Sequence, residues 1–498
     1  MNEKTENKKS KSISRREFMT RTATTAVGLT ILPSGIISAK GRIAPSDKLN
    51  IAGIGVGGMG FSNLKQMESQ NIVGLADVDW KYSKRVFDHY PKAKAYKDYR
   101  KMYDELGKSI DAVVVATADH SHAIVAAEAI TRGWHTYVQK PLTHTVYESR
   151  LLTKLAEKHQ VATQMGNQGS SGEGVNITSE WIANGEIGDI EHVEAFTDRP
   201  IWPQGLNRPT DEMAIPDTLD WDLFVGSAPM RPYNEIYTPW AWRGWWDFGT
   251  GALGDMACHI LHPVFVGLDL GYPTKTQGSS TLLLTDCAPS AQIVHLTFPE
   301  RKPGKNMKIK LPEVKVTWFD GGLQPEKPEG WPAGKDMNNS GGGTIFHGTK
   351  DKLICGCYGK DPWLLSGNKP KAPKFRRRVK LSHEMDWVRA CKESPENRVK
   401  TASDFSEAGP FNEMVVMGVM AVRLQALNKE LDWDGQNMQF TNIGDKEKFK
   451  ITTENKFSIH DGHPTFHNKE TDPINAKEFA KELVNHNYRE GWKLPDMP

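Results

Sequence analysis

The sequence predicts an α/β protein, with an N-terminal domain on a parallel sheet and then an α+β domain with a largely antiparallel open sheet. Three features carry that expectation. Beyond Leu49, short apolar runs alternate with segments of helical period, the pattern of βαβ units. The first run, "LNIAGI", feeds a glycine-rich turn that opens a helix. After about Gly169 continuous apolar runs give way to alternation, as in a sheet with one exposed face.

In chain order, "NIVGLADVD", "DAVVVAT", "WHTYVQK" and "QVATQMG" read as further strands of the first sheet. Between them "FSNLKQMES", "HAIVAAEAITRG" and "TVYESRLLTKLAEKH" read as helices, the last one capped by Thr143 or Thr145. "EGVNITSEWIANGEIG" is a helix stopped by glycine, and "DIEHVEAFTD" a strand. Residues 200–248 are aromatic and Pro-rich, too irregular for regular structure throughout. "TLLLT", "AQIVHLTF", "MKIKLPEVKVTWFD" and "GTIFHGTKDKLICGCYG" are expected to build the second sheet, and "GPFNEMVVMGVMAVRLQAL" a helix. Residues 321–343 form a Gly/Pro-rich surface loop, and the last fifty residues are polar with few periodic signals. The expected domains are 46–169 for a dinucleotide, 170–440 for substrate, and a tail, 441–498, packed on the body.

Composition bounds the function. With 498 residues and a formal net charge of +2, the chain has room for two or three domains. Residues 1–39 hold seven basic and three acidic side chains, so the remainder carries about −2, and nothing argues for nucleic-acid binding. The basic start, "SRREFMT" followed by a mildly apolar stretch, reads as a twin-arginine export signal over residues 1–40 and implies a periplasmic protein without stable membrane insertion. Five scattered cysteines show no zinc spacing and are expected to be structural or free thiols.

The chemistry begins at Gly55, Gly57 and Gly60 in "GIGVGGMG". The turn follows a strand, opens a helix and is trailed by Asp77 at the end of the next strand. Gly55 allows the tight turn, Gly57 the approach of a pyrophosphate, and Gly60 close packing of helix on strand, while Asp77 accepts from an adenosine ribose. Gly58 and Met59 complete the cradle. An acid at Asp77 repels a 2′-phosphate, so NAD is expected over NADP, with Lys81 the one feature favouring NADP. "ATADHSHA" and "YVQKPLTHT" fall at the C-terminal edges of strands, where open α/β sheets bind ligands.

The order of the glycine turn, "ADVD", "ATADHSH", "VQKPL", "GNQG" and "GALGDMACHILH" resembles the glucose–fructose oxidoreductase/inositol dehydrogenase (Gfo/Idh/MocA) family across nearly the whole mature chain. The resemblance implies a Rossmann domain and places the catalytic positions at Lys140, Asp255 and His259. It adds cofactor contacts at Thr117, His122, Gln139, Lys140 and Asn167. One departure is plain: Gln139 stands where the family usually has glutamate. Asp255 and His259 are four apart and share a helix face, so the carboxylate is expected to orient the imidazole as a proton acceptor. His262 shares that face and is assigned with Trp242 and Arg243 to the substrate. No metal is expected, because the dinucleotide site accounts for the Asp255–His259 pair. Tryptophans between Trp202 and Trp246, half or more of them core, suggest a carbohydrate pocket.

The expected activity is therefore oxidation of a sugar or glycoside hydroxyl by tightly bound NAD in a homo-oligomer acting on small carbohydrates. The alternative is an NAD-dependent glycoside hydrolase working through a transient keto-sugar. A non-catalytic sugar binder is the remaining possibility.

Overall fold

A computed structural model describes residues 47–338 and 341–498. Residues 49–498 form one compact unit; the expected twin-arginine segment lies outside the described residues.

The first sheet grows from runs that are apolar on both faces. Its elements are β1 (Asn50–Ile54), α1 (Phe61–Gln66), β2 (Asn71–Ala76), α2 (Trp80–His89), β3 (Lys94–Tyr96), α3 (Tyr99–Leu106), β4 (Ala112–Val115), α4 (Asp119–Thr131), β5 (His135–Val138), α5 (Val146–His159) and β6 (Thr163–Met165). Every residue of β4 is buried, as a strand covered by helices on both faces requires. The strands are all parallel in the order β3-β2-β1-β4-β5-β6. That order reverses between β1 and β4, which opens a crevice at their carboxyl ends.

Helix starts follow local chemistry. Asp79 caps α2 by accepting from the Lys81 and Tyr82 amides, and Asp98 caps α3. At α5 the expected cap is Thr145, in a full capping box. Its hydroxyl accepts from Glu148 N (3.2 Å), and Glu148 Oε2 accepts from Thr145 N (3.0 Å). The Lys140–Pro141 peptide just before this helix is cis.

The second sheet has nine strands in the order β13-β12-β11-β7-β10-β9-β8-β14-β15 and is antiparallel except where β10 pairs β7. These are β7 (Ile190–Phe196), β8 (Lys275–Ser280), β9 (Gln292–Phe298), β10 (Val314–Phe319), β11 (Gly343–Gly348), β12 (Lys352–Gly356), β13 (Trp363–Leu364), β14 (Leu431–Asp434) and β15 (Gln439–Phe440). α6 (Glu173–Asn184) and α11 (Phe405–Arg423) pack on its strands, α8 (Gly251–Ile260) packs on α11 and α9 (His262–Gly267) on α6, while the short α7 (Trp221–Val225) lies in the aromatic stretch. α11 also rests on α5, so one continuous core ties the two sheets together.

Two strand expectations fail. "TLLLT" carries only an isolated bridge, Leu284 to Thr452, and "MKIKLPEVKVTWFD" is strand only from Val314. Pro312 has no amide hydrogen to give a ladder. Other elements went unread, including β3, α2, α3 and α10 (His383–Cys391). The C-terminal segment contains β16 (Lys448–Phe449), β17 (Thr452–His460), β18 (His463–Glu470), β19 (Ile474–Asn475) and α12 (Ala476–Val484). Asp461 and Gly462, at φ 48° and 79°, make the β17–β18 turn, a pairing that signals a hairpin in sequence. All five cysteines are buried and unbridged. Among the described residues no helix is long and apolar enough to cross a membrane.

Candidate active site

The crevice between β1 and β4 deepens into a cavity of about 610 Å³ between the first sheet, the aromatic stretch and α8. Its floor is the glycine turn. Gly55 sits at φ 74°, and a Cβ there would come within 2.6 Å of the Ala116 carbonyl and the Thr117 amide. A Cβ on Gly60 would meet Gly55 O at 2.4 Å, so the turn cannot close with any larger residue. Gly57 N donates to Asp77 Oδ2 (2.9 Å) and Asp79 N to Oδ1 (3.0 Å). Burial pushes the Asp77 carboxyl up, against these hydrogen bonds. Gly55, Gly57, Gly58, Met59 and Asp77 line the cavity; Gly60 lies beneath it as the packing glycine. A backbone cradle next to a half-buried acid just past the second strand fits a dinucleotide with a free ribose 2′-hydroxyl.

At the other end of the cavity three charged groups meet. Lys140 Nζ donates to Asp255 Oδ1 (2.6 Å) and to the Asp255 carbonyl (3.0 Å). Arg243 Nε donates to the same Oδ1 (3.3 Å), and its guanidinium lies 4.0 and 4.3 Å from the Trp240 and Trp242 rings. Burial alone would raise the Asp255 carboxyl, but the Lys140 and Arg243 cations outweigh it and hold it at about 2. The carboxylate is thus a permanent anion that fixes both cations.

His259 stands one helical turn away, its ring 4.4 Å from that of Tyr358. Burial, reinforced by the Lys140 charge, lowers its pKa to about 3, so the imidazole is neutral at physiological pH. Its Nδ1 is buried without a partner. Asp255 does not hydrogen-bond it, and the expected orienting pair is not formed, because two cations have claimed the carboxylate.

Other assigned residues divide. Thr117, Gln139, Trp242 and Arg243 line the cavity. His122 does not: its ring nitrogens meet Pro141 O (2.8 Å) and Thr117 O (3.1 Å), tying β4's edge to the Lys-Pro corner from below. His262 turns from the cavity to Glu407 (3.1 Å) and packs on Phe411, as a helix face continued past Leu261 drifts towards the core. Asn167 is buried with both side-chain polar atoms unpartnered and does not line the cavity. Of the six tryptophans of the aromatic stretch, Trp202, Trp221, Trp245 and Trp246 are core.

Two cavity-lining residues had no sequence signal. Tyr358 sits at a positive φ of 64° in "CYG", a strained position at the cleft. Trp492 comes from the C-terminal segment and stacks under the Arg100 guanidinium at 4.5 Å, beside Asp77, Asp98 and Tyr99. Away from the cavity, His192, Glu194 and His347 on β7 and β11 could hold a metal ion, and His347 Nε2 already meets Glu194 Oε2 at 2.8 Å.

Residues 49–167 match the NAD-binding Rossmann-fold model of an oxidoreductase family, and residues 189–298 match that family's C-terminal alpha/beta domain. These two segments are thus similar to the Gfo/Idh/MocA oxidoreductases. Among curated relatives, Glycosyl hydrolase family 109 protein 2 of Akkermansia muciniphila is 31% identical over 176 residues, 33% of this chain and 37% of the relative. The Alpha-N-acetylgalactosaminidase of Shewanella oneidensis is 29% identical over 174 residues, 33% of this chain and 38% of the relative. The chain thus spans little more than a third of the length of either relative. Among solved structures, an inositol dehydrogenase homolog from Azotobacter vinelandii, complexed with NADH and myo-inositol, has a TM-score of 0.51 at 16% identity, covering 78% of this chain and 98% of its own. The WlbA dehydrogenase of Bordetella pertussis, in complex with NADH and UDP-GlcNAcA, has a TM-score of 0.51 at 14% identity, covering 78% and 99%. These structural likenesses establish the shared fold.

Proposed function

We propose that the protein is an exported oxidoreductase that removes a hydride from a sugar or glycoside hydroxyl carbon. The observation that carries this reading is the Lys140–Asp255–Arg243 cluster with neutral His259 beside it, at the far end of a cavity floored by a dinucleotide cradle. The proposed cofactor is NAD, held by the glycine turn and Asp77. When bound, it supplies an acceptor for the hydride that leaves the carbinol carbon.

Each residue then has a task. Lys140 donates to the hydroxyl oxygen and stabilises it as negative charge develops. Asp255 holds that ammonium in place. His259, at the cavity wall, takes the hydroxyl proton, which only the neutral ring can do. Arg243, braced by Trp240 and Trp242, reaches neighbouring sugar oxygens while the indoles cover apolar sugar faces. The Arg15-Arg16 signal motivates the export part of the reading, and export favours a cofactor that stays bound.

A second reading, redox-neutral glycoside cleavage through a transient keto-sugar, is favoured by the relatives named as glycosyl hydrolases. One experiment separates the two. Sugars and chromogenic glycosides are added to the purified protein while aglycone release and reduced-nicotinamide absorbance are followed. Reduction without release supports the dehydrogenase and release supports the hydrolase; neither signal across a broad sugar panel overturns both.

A further inference from the structure

Gln139 borders Lys140 in the cavity wall, and a glutamine amide can present either an oxygen or an NH2 there. Three linked contacts decide which. Asn63 Nδ2 donates to Glu384 Oε1 (2.9 Å), and Gln139 Nε2 donates to Asn63 Oδ1 (2.8 Å). Gln139 Oε1 is left on the Lys140 side, with only a long approach from Lys140 N (3.4 Å).

Glu384 Oε1 accepts from Asn63, so Asn63 turns its NH2 outward and its oxygen towards Gln139. Asn63 then forces Gln139 to spend its NH2 inward. The surroundings prevent any escape. Asn63 is fully buried, Glu384 is 6% exposed, and Tyr137 OH is the remaining neighbour of Asn63 Nδ2 at 3.4 Å. Gly166 packs on the Gln139 amide so closely that a Cβ would come within 2.5 Å of Nε2. Glu384 itself lies in the first turn of α10, capped by Ser382, where the helix favours negative charge.

We infer that Glu384, though it does not line the cavity, is a positioning residue that locks the Gln139 amide with its oxygen, not its NH2, facing the Lys140 corner. The inference rests on the reading that this corner holds the reacting end of NAD. An amide oxygen there favours the positively charged oxidised ring over the reduced one. Reversing the amide would present partial positive charge instead.

The test is a redox titration of the bound cofactor in the intact holoprotein, which needs no sugar and so stays informative if the proposed sugar chemistry fails. Glu384→Gln keeps the shape but lets both amides flip. It is expected to lower the preference for oxidised over reduced cofactor by about three- to tenfold, read as the equivalent midpoint shift. Adding Gln139→Glu restores an acceptor that has no flipped form, so the double variant should return to within about twofold of the parent preference. Gln139→Met, which leaves Glu384 and Asn63 untouched, should shift the preference the same way even if Glu384→Gln folds poorly. An unchanged midpoint in Glu384→Gln, no recovery in the double variant, or no shift in Gln139→Met overturns the inference.

Discussion

Lys140 gives two of its three hydrogens to Asp255 and keeps one for a ligand. Lys140→Ala should therefore retain NAD while slowing reduction of the bound cofactor by about a hundredfold or more. Lys140→Arg should not rescue it, because a planar fork cannot take a compact ammonium's place. His259, depressed to about 3, contributes no titration across pH 5–8. A pH–rate profile whose pKa in that range vanishes in His259→Ala would contradict its neutral role. Lys140 and His259 were singled out by the family resemblance, since a lysine at a strand edge or a histidine on a helix face reads equally well as a structural residue. Asp255's partner was not, since helical spacing shows a shared face but not the two cations arriving from Gln139-Lys140-Pro141 and the aromatic stretch. His262 turned out otherwise for the same reason: periodicity does not say which face turns to the cavity and which to the core.

At the scale of elements, the Thr145–Glu148 box fixes the start of α5 and, through it, the Lys-Pro corner. Thr145→Ala should cost about 1 kcal/mol in denaturant unfolding. On β10's exit, Asp320 is fully buried and accepts from Gln292 N, Gln292 Nε2 and Trp318 Nε1 at 2.7–3.1 Å. Burial still pushes its carboxyl up to about 7. The folded state then holds one more proton than the unfolded between about pH 4 and 7, so stability from this group falls as pH rises through that window. Asp320→Asn should remove that slope, checked by urea unfolding at pH 5 and pH 8. A parent and variant with parallel pH dependence would refute the buried-acid account. Long apolar runs such as β4 and long amphipathic helices were readable, whereas β3, three residues long, carries too little pattern to show. "TLLLT" had strand composition but meets β17 only at its first residue, Thr452, and composition cannot supply a ladder.

For the molecule as a whole, the parallel character of the first sheet and the largely antiparallel character of the second follow from where apolar runs are continuous and where they alternate. What the sequence hid is the closing of the cavity by distant chain, since Tyr358 and Trp492 reach it from segments without motif. Trp492→Ala should loosen cofactor retention several-fold by losing one stacked face, measured as NAD remaining after dialysis. Changing Arg15 and Arg16 together to Lys should trap folded, cofactor-loaded protein in the cytoplasm; undiminished periplasmic protein would end the export proposal. The central claim is that the Lys140 cluster drives hydride removal from a sugar, and single-turnover reduction of the bound cofactor tests it most directly. With a working sugar, the reduced-nicotinamide band should rise in the parent and rise about a hundredfold more slowly in Lys140→Ala at equal cofactor occupancy. Equal rates in the two proteins would make the cluster a bystander and contradict the account.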